Sequence, residues 1–402
     1  MNGRLEKLQE YPFEKLAKLK AGLTPPPTFK PIVMSIGEPK HLPPDFVLQA
    51  VKDNLGSISN YPVTAGIPQL REAIAQWLTK RFFLKPDCID AGKHILPVNG
   101  TREALFAIAQ AVINTEQLDP RPPLVVLPNP FYQIYEGATI LSGAEPFFLN
   151  IDPATGLPDY ENVPDEIWRR CQLLYVSSPG NPTGAVLSNA AMQKLIVKAL
   201  HFDFVIASDE CYSELYFNEE KPPVGVLESC HRMGNDNFKN CLAFHSLSKR
   251  SSLPGMRSGF VAGDAKIIER FRLYRTYHGC AMPPPFQYAS ISAWQDEKHV
   301  VENRNLYRMK FKEVTEIISE ALPAEIPAGA FYLWLKTPGA DTDFARALFA
   351  AKNVTVLPGS YLSRSWMGQM PGQGFVRIAL VPEVIDCVEA AKRIRDFVLE
   401  KK

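Results

Sequence analysis

The chain has 402 residues, of which 46% are hydrophobic and 22% charged, a composition typical of globular proteins. This length suits two or three domains of ordinary size. Because 44 basic and 43 acidic residues leave a formal net charge of +1, no global field attracts nucleic acid or an anionic membrane. Any recognition of anions must therefore be local.

Seven cysteines are scattered along the chain without a Cys-x-x-Cys pair, which predicts free thiols in a reducing cytoplasm rather than disulfides or a zinc site. The first twenty residues mix charged and apolar side chains and lack the apolar core of a signal peptide. No uncharged apolar run of about 18 residues occurs. The sequence therefore predicts a cytoplasmic protein with no membrane span and no metal.

Apolar runs typical of strands alternate with helical periodicities along the chain. The predicted strands are residues 32–36, 95–98, 124–127, 145–149 and 173–176, a run that begins at residue 204, and residues 329–335, 354–357 and 375–380. The predicted helices are residues 4–20, 69–83, 104–113, 133–141, 189–201, 286–322, 344–352 and 383–399. This alternation indicates an α/β fold with a mostly parallel sheet, whose ligands bind at the carboxyl edge.

Polar side chains follow many of these strands and should meet at that edge. They are Gly100, Thr101, Tyr132, Asn181, Asp209, Tyr212 and Lys249. Neither a Gly-x-Gly-x-x-Gly turn after the first strand nor a Walker-type Gly-Lys-Ser/Thr loop is present, which disfavours a dinucleotide or a nucleoside triphosphate.

Three turns each allow two interpretations. Gly37 follows the first strand, where glycine either lets the backbone come near a ligand or only forms a turn. Gly100 and Thr101 precede a helix, whose free N–H groups suit a phosphate, although Thr101 as an ordinary N-cap is the alternative. Tyr61, on the loop of residues 60–68, is either a packing residue or a site residue.

Lys249 follows the small hydroxyl residues Ser246 and Ser248, and Arg257 comes eight residues later. A lysine amine becomes a nucleophile when desolvation or a neighbouring cation disfavours its charge, and Arg257 is such a cation. This arrangement suits an anionic cofactor held by a covalent amine. An exposed turn with two surface cations is the alternative.

Near residue 285 the alternation of strands and helices gives way to a long helical stretch with many charged residues. We predict a large domain of residues 46–285, and a smaller α+β domain formed by residues 1–45 and 286–402. Arg377 lies inside an apolar strand of this smaller domain, where a charge is costly unless it is paired. Its expected carboxylate partner is either a protein side chain or a substrate.

These residues together resemble the class I/II pyridoxal-phosphate aminotransferases of fold type I, over nearly the whole chain. The family signatures stand in order as Ile36-Gly37-Glu38-Pro39, Tyr61, Gly66, Leu70-Arg71, Gly100-Thr101, Tyr132, Asn181-Pro182-Thr183-Gly184, Asp209-Glu210-x-Tyr212, Ser246-x-x-Lys249, Arg257 and Arg377. The resemblance implies a large domain with a mostly parallel seven-stranded sheet sandwiched by helices, and a smaller α+β domain.

The resemblance also implies roles around the cofactor ring. Lys249 would bind the pyridoxal phosphate covalently and then carry a proton to and from the substrate. Asp209 would keep the pyridine nitrogen protonated, Tyr212 and Asn181 would hydrogen-bond the phenolic oxygen, and Tyr132 would stack on the ring. Lys249, Asp209 and Tyr212 are thus the expected catalytic residues.

The cofactor phosphate would be held by Gly100, Thr101, Ser246 and Arg257. Tyr61 would reach the phosphate of the neighbouring subunit, so the resemblance implies a homodimer. The amino donor and the 2-oxo acid are small molecules.

The expected substrate-binding residues are Gly37, Asn181 and Arg377. By resemblance, Arg377 takes the substrate α-carboxylate through a bidentate pair, and Gly37 lies beside it.

Longer local matches are similar to the proteobacterial succinyldiaminopimelate aminotransferases of lysine biosynthesis. These segments are residues 98–106, 128–137, 274–279 and 354–362. They imply transamination between N-succinyl-LL-2,6-diaminopimelate and 2-oxoglutarate. Arg275, Tyr277 and Arg364 are candidates for the distal carboxylates, with solvated surface cations as the alternative.

Two other functions remain open at this point, and a third is disfavoured. Another class I aminotransferase, with aspartate, alanine or acetylornithine-like specificity, or a pyridoxal-phosphate lyase would use the same scaffold. A cofactor-sensing regulator would need a DNA-reading module, which the segment before Ile32 is too short to hold.

Overall fold

The computed structural model describes residues 1–117 and 119–401, which form twelve strands and fourteen α-helices. The strands are β1 (Ile32–Val33), β2 (Ile95–Val98), β3 (Leu124–Asn129), β4 (Glu145–Asn150), β5 (Cys171–Ser177), β6 (Val205–Asp209), β7 (Cys241–Ser246), β8 (Gly259–Gly263), β9 (Tyr332–Lys336), β10 (Val354–Thr355), β11 (Leu357–Pro358) and β12 (Phe375–Ala379).

The helices surround these strands. They are α1 (Pro12–Lys20), α2 (Asp45–Asp53), α3 (Pro68–Arg81), α4 (Thr101–Val112), α5 (Gln133–Ser142), α6 (Asp165–Arg170), α7 (Asn189–Phe202), α8 (Val226–Arg232), α9 (Leu247–Arg250), α10 (Ala265–His278), α11 (Pro284–Gln295), α12 (Lys298–Ser319), α13 (Asp341–Lys352) and α14 (Val384–Leu399). Among the described residues, none of these helices has the length and apolar character that a membrane crossing requires.

Seven strands form the largest sheet, in the order β2-β8-β7-β6-β5-β3-β4. From β4 to β7 every pair is parallel, and β8 runs antiparallel to both of its neighbours, β7 and β2. Every residue of β3, β7 and β8 is buried, because helices cover both faces of the sheet. The predicted α/β fold with a mostly parallel seven-stranded sheet is confirmed.

Each face of this sheet has its own hydrophobic core. One face packs against α3, α7, α8 and α11, with Trp77, Ile196, Val226 and Ala289 among its buried residues. The other face packs against α4, α5 and α10, with Leu105 among its buried residues. The sheet is therefore held between two layers of helix, which fix the positions of its strand ends.

A second group of strands and helices forms a further core. The antiparallel sheet β11-β12-β9 and the parallel pair β1-β10 pack with α12, α13 and α14 around Phe311, Leu348, Ile378 and Ile394. Because β1 pairs with β10, the N-terminal segment joins the C-terminal part of the chain.

We propose that these two packing units are the two domains expected from the sequence. Helix α11 begins next to the expected boundary at residues 285 and 286. Its Ala289, Ala293 and Trp294 are buried in the core of the larger unit, so we assign α11 to that domain.

Two predicted helices are each divided in the structure. Residues 4–20 form a short 3₁₀ helix (Gly3–Lys7) and then α1, because Pro12 lacks the N–H that a helix interior needs and is suited only to a first turn. Residues 286–322 divide between α11 and α12. There the Asp296 carboxylate accepts a hydrogen bond from the backbone N–H of His299 at 2.9 Å and so begins a new helix.

Candidate active site

A cavity of about 480 Å³ opens at the carboxyl edge of the parallel strands. Most residues predicted for the site line it, namely Gly37, Thr101, Tyr132, Asn181, Asp209, Tyr212, Ser246, Lys249, Arg257 and Arg377. Gly100 lies next to the cavity, and Tyr61 lies outside it. The sheet thus brings together side chains that are separated by up to several hundred positions in the chain.

The pairing register explains why Arg257 comes close to Lys249. Gly259, the first residue of β8, pairs with both Val98 at the end of β2 and Ser246 at the end of β7. Since β8 is antiparallel to these strands, its beginning lies at the same edge as their ends. The turn that holds Arg257 therefore faces the turn that holds Lys249.

Lys249 lies on α9, the single helical turn that follows β7. Burial lowers the pKa of its amine, and the cations Arg257 and Arg102 lower it further, while Cys211 and Asp209 act in the opposite direction. The amine lies inside the cavity, so the alternative of an exposed turn with two surface cations does not hold for Lys249, whereas Arg257 lines the cavity and is exposed. A lowered pKa increases the fraction of neutral, nucleophilic amine.

The turn that holds Lys249 is anchored from both sides. The Ser246 hydroxyl accepts a hydrogen bond from the backbone N–H of Ser248 at 3.1 Å. From α12, the Asn303 side chain donates to the carbonyl oxygens of Lys249 at 3.0 Å and Arg250 at 3.2 Å. These bonds satisfy backbone groups that a one-turn helix leaves free, and they fix where the lysine side chain starts.

Asp209 is buried, and both of its carboxylate oxygens have partners. The Tyr135 hydroxyl donates to Oδ2 at 2.6 Å, and the backbone N–H of Cys211 donates to Oδ1 at 3.2 Å. Tyr135 in turn stacks on Tyr175, with ring centroids 4.5 Å apart. The carboxylate is therefore held in one orientation in an apolar setting, which suits pairing with a cationic ring nitrogen.

Tyr212 belongs to a hydroxyl pair that also explains Gly37. Its hydroxyl lies 2.8 Å from the hydroxyl of Tyr332, and burial raises the pKa of Tyr212 well above its usual range. A Cβ atom at Gly37 would lie 2.1 Å from the Tyr332 hydroxyl oxygen, so only glycine fits there. At Gly37 the backbone closely approaches the Tyr332 side chain, and its approach to a ligand stays a prediction.

Arg377 lies on β12 and is buried without a carboxylate partner among the described residues. Its Nη1 donates to Oδ1 of Asn181 at 2.8 Å, and its Nη2 donates to the carbonyl oxygen of Ser35 at 2.8 Å. The guanidinium also lies over the Tyr332 ring, 4.4 Å from the centroid. A protein carboxylate was one expected partner, and that expectation is wrong. The charge remains available to an anion in the cavity.

Gly100 stands at the N-cap of α4 with a φ of +84°, and no side chain caps this helix. The alternative of an ordinary N-cap by Thr101 is therefore wrong. A Cβ atom at Gly100 would lie 2.3 Å from Nη2 of Arg257, so the guanidinium packs directly against the start of the helix. The Thr101 hydroxyl faces the Cys211 sulfur at 2.9 Å. Free N–H groups, a hydroxyl and a guanidinium together form an anion cradle.

Arg102 is a further cation in the cavity, in addition to Lys249, Arg257 and Arg377. Its Nε donates to the Tyr132 hydroxyl at 2.7 Å, and it forms no ion pair with a carboxylate of the described residues. Its position inside the cavity was not predicted from the sequence.

Residues 30–394 match the family model for aminotransferase class I and II. The chain belongs to this family. It is similar to a crystallised aminotransferase from Neisseria meningitidis Z2491, with a TM-score of 0.94 and 45% identity over 99% of this chain and 100% of that one. It is 29% identical to the LL-diaminopimelate aminotransferase of Syntrophobacter fumaroxidans over 98% of this chain and 97% of that protein. A probable N-succinyldiaminopimelate aminotransferase from Thermus thermophilus matches with a TM-score of 0.82 and 25% identity, covering 96% of this chain and 99% of that one.

Aminotransferases of this family depend on pyridoxal phosphate, and the cavity of this aminotransferase fits that cofactor. The cradle at the start of α4 offers donors for a phosphate. The buried Asp209 offers a carboxylate for a protonated ring nitrogen, and Lys249 offers an amine for an aldehyde. Tyr135 and Tyr332, which orient Asp209 and Tyr212, were not predicted. Each makes its contact far along the chain, so no local pattern marks it.

The structure does not bring the three candidates for distal carboxylates into the cavity of the aminotransferase. Arg275 is fully buried and pairs with Glu103 at 2.6 Å. Arg364 pairs with Glu136 through two bonds of 2.8 and 2.6 Å. Because each arginine already has a carboxylate, both the distal-carboxylate hypothesis and the solvated-cation alternative are wrong for them. Tyr277 is largely exposed and lies outside the cavity.

Gly100→Ala should weaken cofactor binding by the aminotransferase. The added methyl group would displace Arg257 from the helix start, and we expect at least a tenfold rise in the pyridoxal phosphate Kd, or about 1.4 kcal/mol. An absorbance titration of the apoprotein measures this. Gly22→Ala is the matched control, because Gly22 has a similar φ of +74° but no atom within 4 Å of the added carbon. Equal affinities for the two variants would contradict the cradle.

Proposed function

We propose that this aminotransferase exchanges an amino group between N-succinyl-LL-2,6-diaminopimelate and 2-oxoglutarate, in the biosynthesis of diaminopimelate and lysine. The observation that carries the proposal is the cavity itself. There the guanidinium groups of Arg102, Arg257 and Arg377 line the cavity together with a lysine amine of lowered pKa, and none of the three is paired with a carboxylate of the described residues. Such a site suits a dicarboxylic amino donor. The long local matches to the succinyl-specific group and the name of the Thermus neighbour support the choice of substrate.

A second candidate is transamination of LL-diaminopimelate itself. Several curated relatives with 28–29% identity carry the name LL-diaminopimelate aminotransferase. That substrate has a free amino group at its distal end, whereas the succinylated substrate has an amide and a further carboxylate there. The two candidates therefore differ in the charge that the distal part of the cavity must accept.

Pyridoxal phosphate supplies an aldehyde and an electron-accepting ring when it is bound. We propose that Lys249 attaches the cofactor and, once displaced by substrate, carries the proton that leaves the substrate Cα. Asp209, held by Tyr135 and the Cys211 amide, would keep the proton on the ring nitrogen. Tyr212 and Asn181 would donate to the phenolic oxygen.

The remaining cofactor contacts are proposed on the same grounds. Gly100, Thr101, Ser246 and Arg257 would hold the phosphate at the start of α4, where N–H groups and the helix dipole favour an anion. Tyr132 would stack on the ring while its hydroxyl stays bonded to Arg102.

We propose that Arg377 binds the substrate α-carboxylate, because its guanidinium group is already held in place by hydrogen bonds to Asn181 and to the Ser35 carbonyl. Gly37 would provide the close backbone approach beside it. Two further arginines line the cavity, Arg257 against the cradle and Arg102 against Tyr132, so Arg102 would meet the distal carboxylate.

We further propose a homodimer. Tyr61 is fully exposed in the single chain, and the nearby Ile58 and Val63 are also exposed. A second copy would cover these apolar side chains and would let Tyr61 reach the partner's phosphate site.

Lys249→Ala should abolish the visible absorbance of the bound cofactor and lower turnover by at least about 10²–10⁴-fold, the usual contribution of a positioned acid or base. Lys266→Ala, on the surface helix α10, serves as the control and should keep both properties. Borohydride reduction followed by peptide mapping should place the label on Lys249. A label on any other lysine would contradict the assignment.

A single-turnover screen of amino donors tests the substrate proposal. Conversion of the cofactor to its amine form should be fastest with N-succinyl-LL-2,6-diaminopimelate and should also occur with glutamate. A preference for LL-diaminopimelate would favour the second candidate. Preference for aspartate, alanine or N-acetylornithine would refute both, and release of ammonia and pyruvate from cysteine conjugates would indicate a lyase.

The two arginines assigned to the substrate, Arg102 and Arg377, should have separable effects. Arg102→Gln should lower kcat/KM for dicarboxylic donors by about 10-fold or more while changing that for alanine little, because only the distal charge is lost. Arg377→Lys should lower kcat/KM for both kinds of donor, since the bidentate fork is lost. Parallel losses for alanine and glutamate in Arg102→Gln would assign Arg102 to the cofactor instead.

A further inference from the structure

A cysteine, a histidine and an aspartate meet on the surface of the larger packing unit. Cys88 lies on the connection between α3 and β2, His231 lies in the last turn of α8, and Asp236 follows that helix. One ligand atom from each residue lies within 4.8 Å of the other two. None of the three lines the cavity of the candidate active site.

The three ligand atoms differ in chemistry. Sulfur, imidazole nitrogen and carboxylate oxygen are the three donors that Zn²⁺ takes in proteins, whereas Mg²⁺ and Ca²⁺ prefer oxygen alone. In a tetrahedral zinc site with bonds of about 2.0–2.3 Å, ligand atoms lie roughly 3.3–3.7 Å apart. To reach that geometry the His231–Asp236 pair, now 2.6 Å apart, must open by about 1 Å, and the Cys88 sulfur must lie within the same range of both. All three side chains are partly accessible, so an ion can enter.

We propose that Cys88, His231 and Asp236 form a binding site for Zn²⁺ or a related divalent transition metal, with water as the fourth ligand. The cysteine spacing did not predict it, because Cys88 is far from the other two ligands along the chain. The site would join the connection after α3 to the connection after α8. Its role is structural, since it lies apart from the reacting groups.

The surroundings of the cluster fit this role. The Asp236 carboxylate accepts a hydrogen bond from His231 at 2.6 Å, so two ligands are already adjacent. The Cys88 thiol donates a weak hydrogen bond to the Asp236 carbonyl oxygen at 3.8 Å, which places the sulfur next to Asp236. A divalent cation bound by the three side chains would displace the thiol proton.

Lys85 is a nearby group that opposes a cation. Its amine lies 3.6 Å from the second carboxylate oxygen of Asp236, on a long and largely exposed side chain. Such a side chain can turn into solvent at little cost, because exposed ion pairs contribute at most about 1 kcal/mol. Removal of this amine should therefore strengthen binding of a metal.

Calorimetric titration of the pyridoxal-phosphate-loaded protein with Zn²⁺, after treatment with a chelator, tests the proposal. We expect one ion per chain at this site, a rise in the melting temperature, and release of a proton that scales with buffer ionisation enthalpy. Cys88→Ser should weaken the Kd at least tenfold and remove the melting-temperature rise. Cys280→Ser is the matched control, because Cys280 is similarly half-buried with a thiol pKa raised by burial, yet it lies outside the cluster.

Two further variants guard against a folding defect in Cys88→Ser. His231→Gln should lose the same binding, and Lys85→Gln should bind at least as tightly as the parent protein. With Co²⁺, the parent should show visible bands of a tetrahedral thiolate site at wavelengths beyond the cofactor, and Cys88→Ser should not. Absence of Zn²⁺ binding, or equal binding by Cys88→Ser and the parent, would overturn the proposal and leave an ordinary His–Asp ion pair.

Discussion

The desolvation of one amine is the constraint on which the rest of the site depends. Lys249 is placed where burial and two nearby guanidinium groups disfavour its charge, and the resulting fall in pKa favours the neutral amine that the proposed attachment of the cofactor requires. That placement requires β7 to end at the edge of the sheet that borders the cavity, and α9 to make only one turn. It also requires the Asn303 side chain to donate hydrogen bonds to the carbonyl groups of that turn. An amine at the tip of a free loop would remain charged and hydrated.

Close backbone approach imposes a second constraint. Gly37 leaves room for the Tyr332 hydroxyl, and Gly100 leaves room for the Arg257 guanidinium. In both places a side chain would occupy the space in which a polar group stands. The glycines therefore set the distances between the cavity wall and its polar groups, while the two tyrosines Tyr135 and Tyr332 set the directions of Asp209 and Tyr212.

Much of this architecture is predictable from the sequence, for a physical reason. Buried parallel strands are continuous apolar runs, and ligands gather where such strands end, so Asn181, Asp209 and Lys249 could be placed at one edge. The predicted helix of residues 4–20 is divided at Pro12, although the proline was visible in the sequence. The predicted helix of residues 286–322 is divided at Asp296, where helical periodicity on both sides hid the start of a new helix. Tyr135, Tyr332 and the zinc ligand Cys88 proposed here act through contacts between distant segments, which periodicity does not encode.

The arginines show how a binding cation differs from a structural one. From the sequence, Arg102, Arg275, Arg364 and Arg377 were all cations near family motifs, and their residue type gave no means of sorting them. The structure sorts them by their partners. Glu103 and Glu136 neutralise Arg275 and Arg364, whereas within the described chain Arg377 donates to an amide and a carbonyl, and Arg102 to a hydroxyl. Arg377 is buried, so these neutral partners leave its charge uncompensated, which is costly unless an anion completes it. A carboxylate of the amino donor that we propose would be that anion.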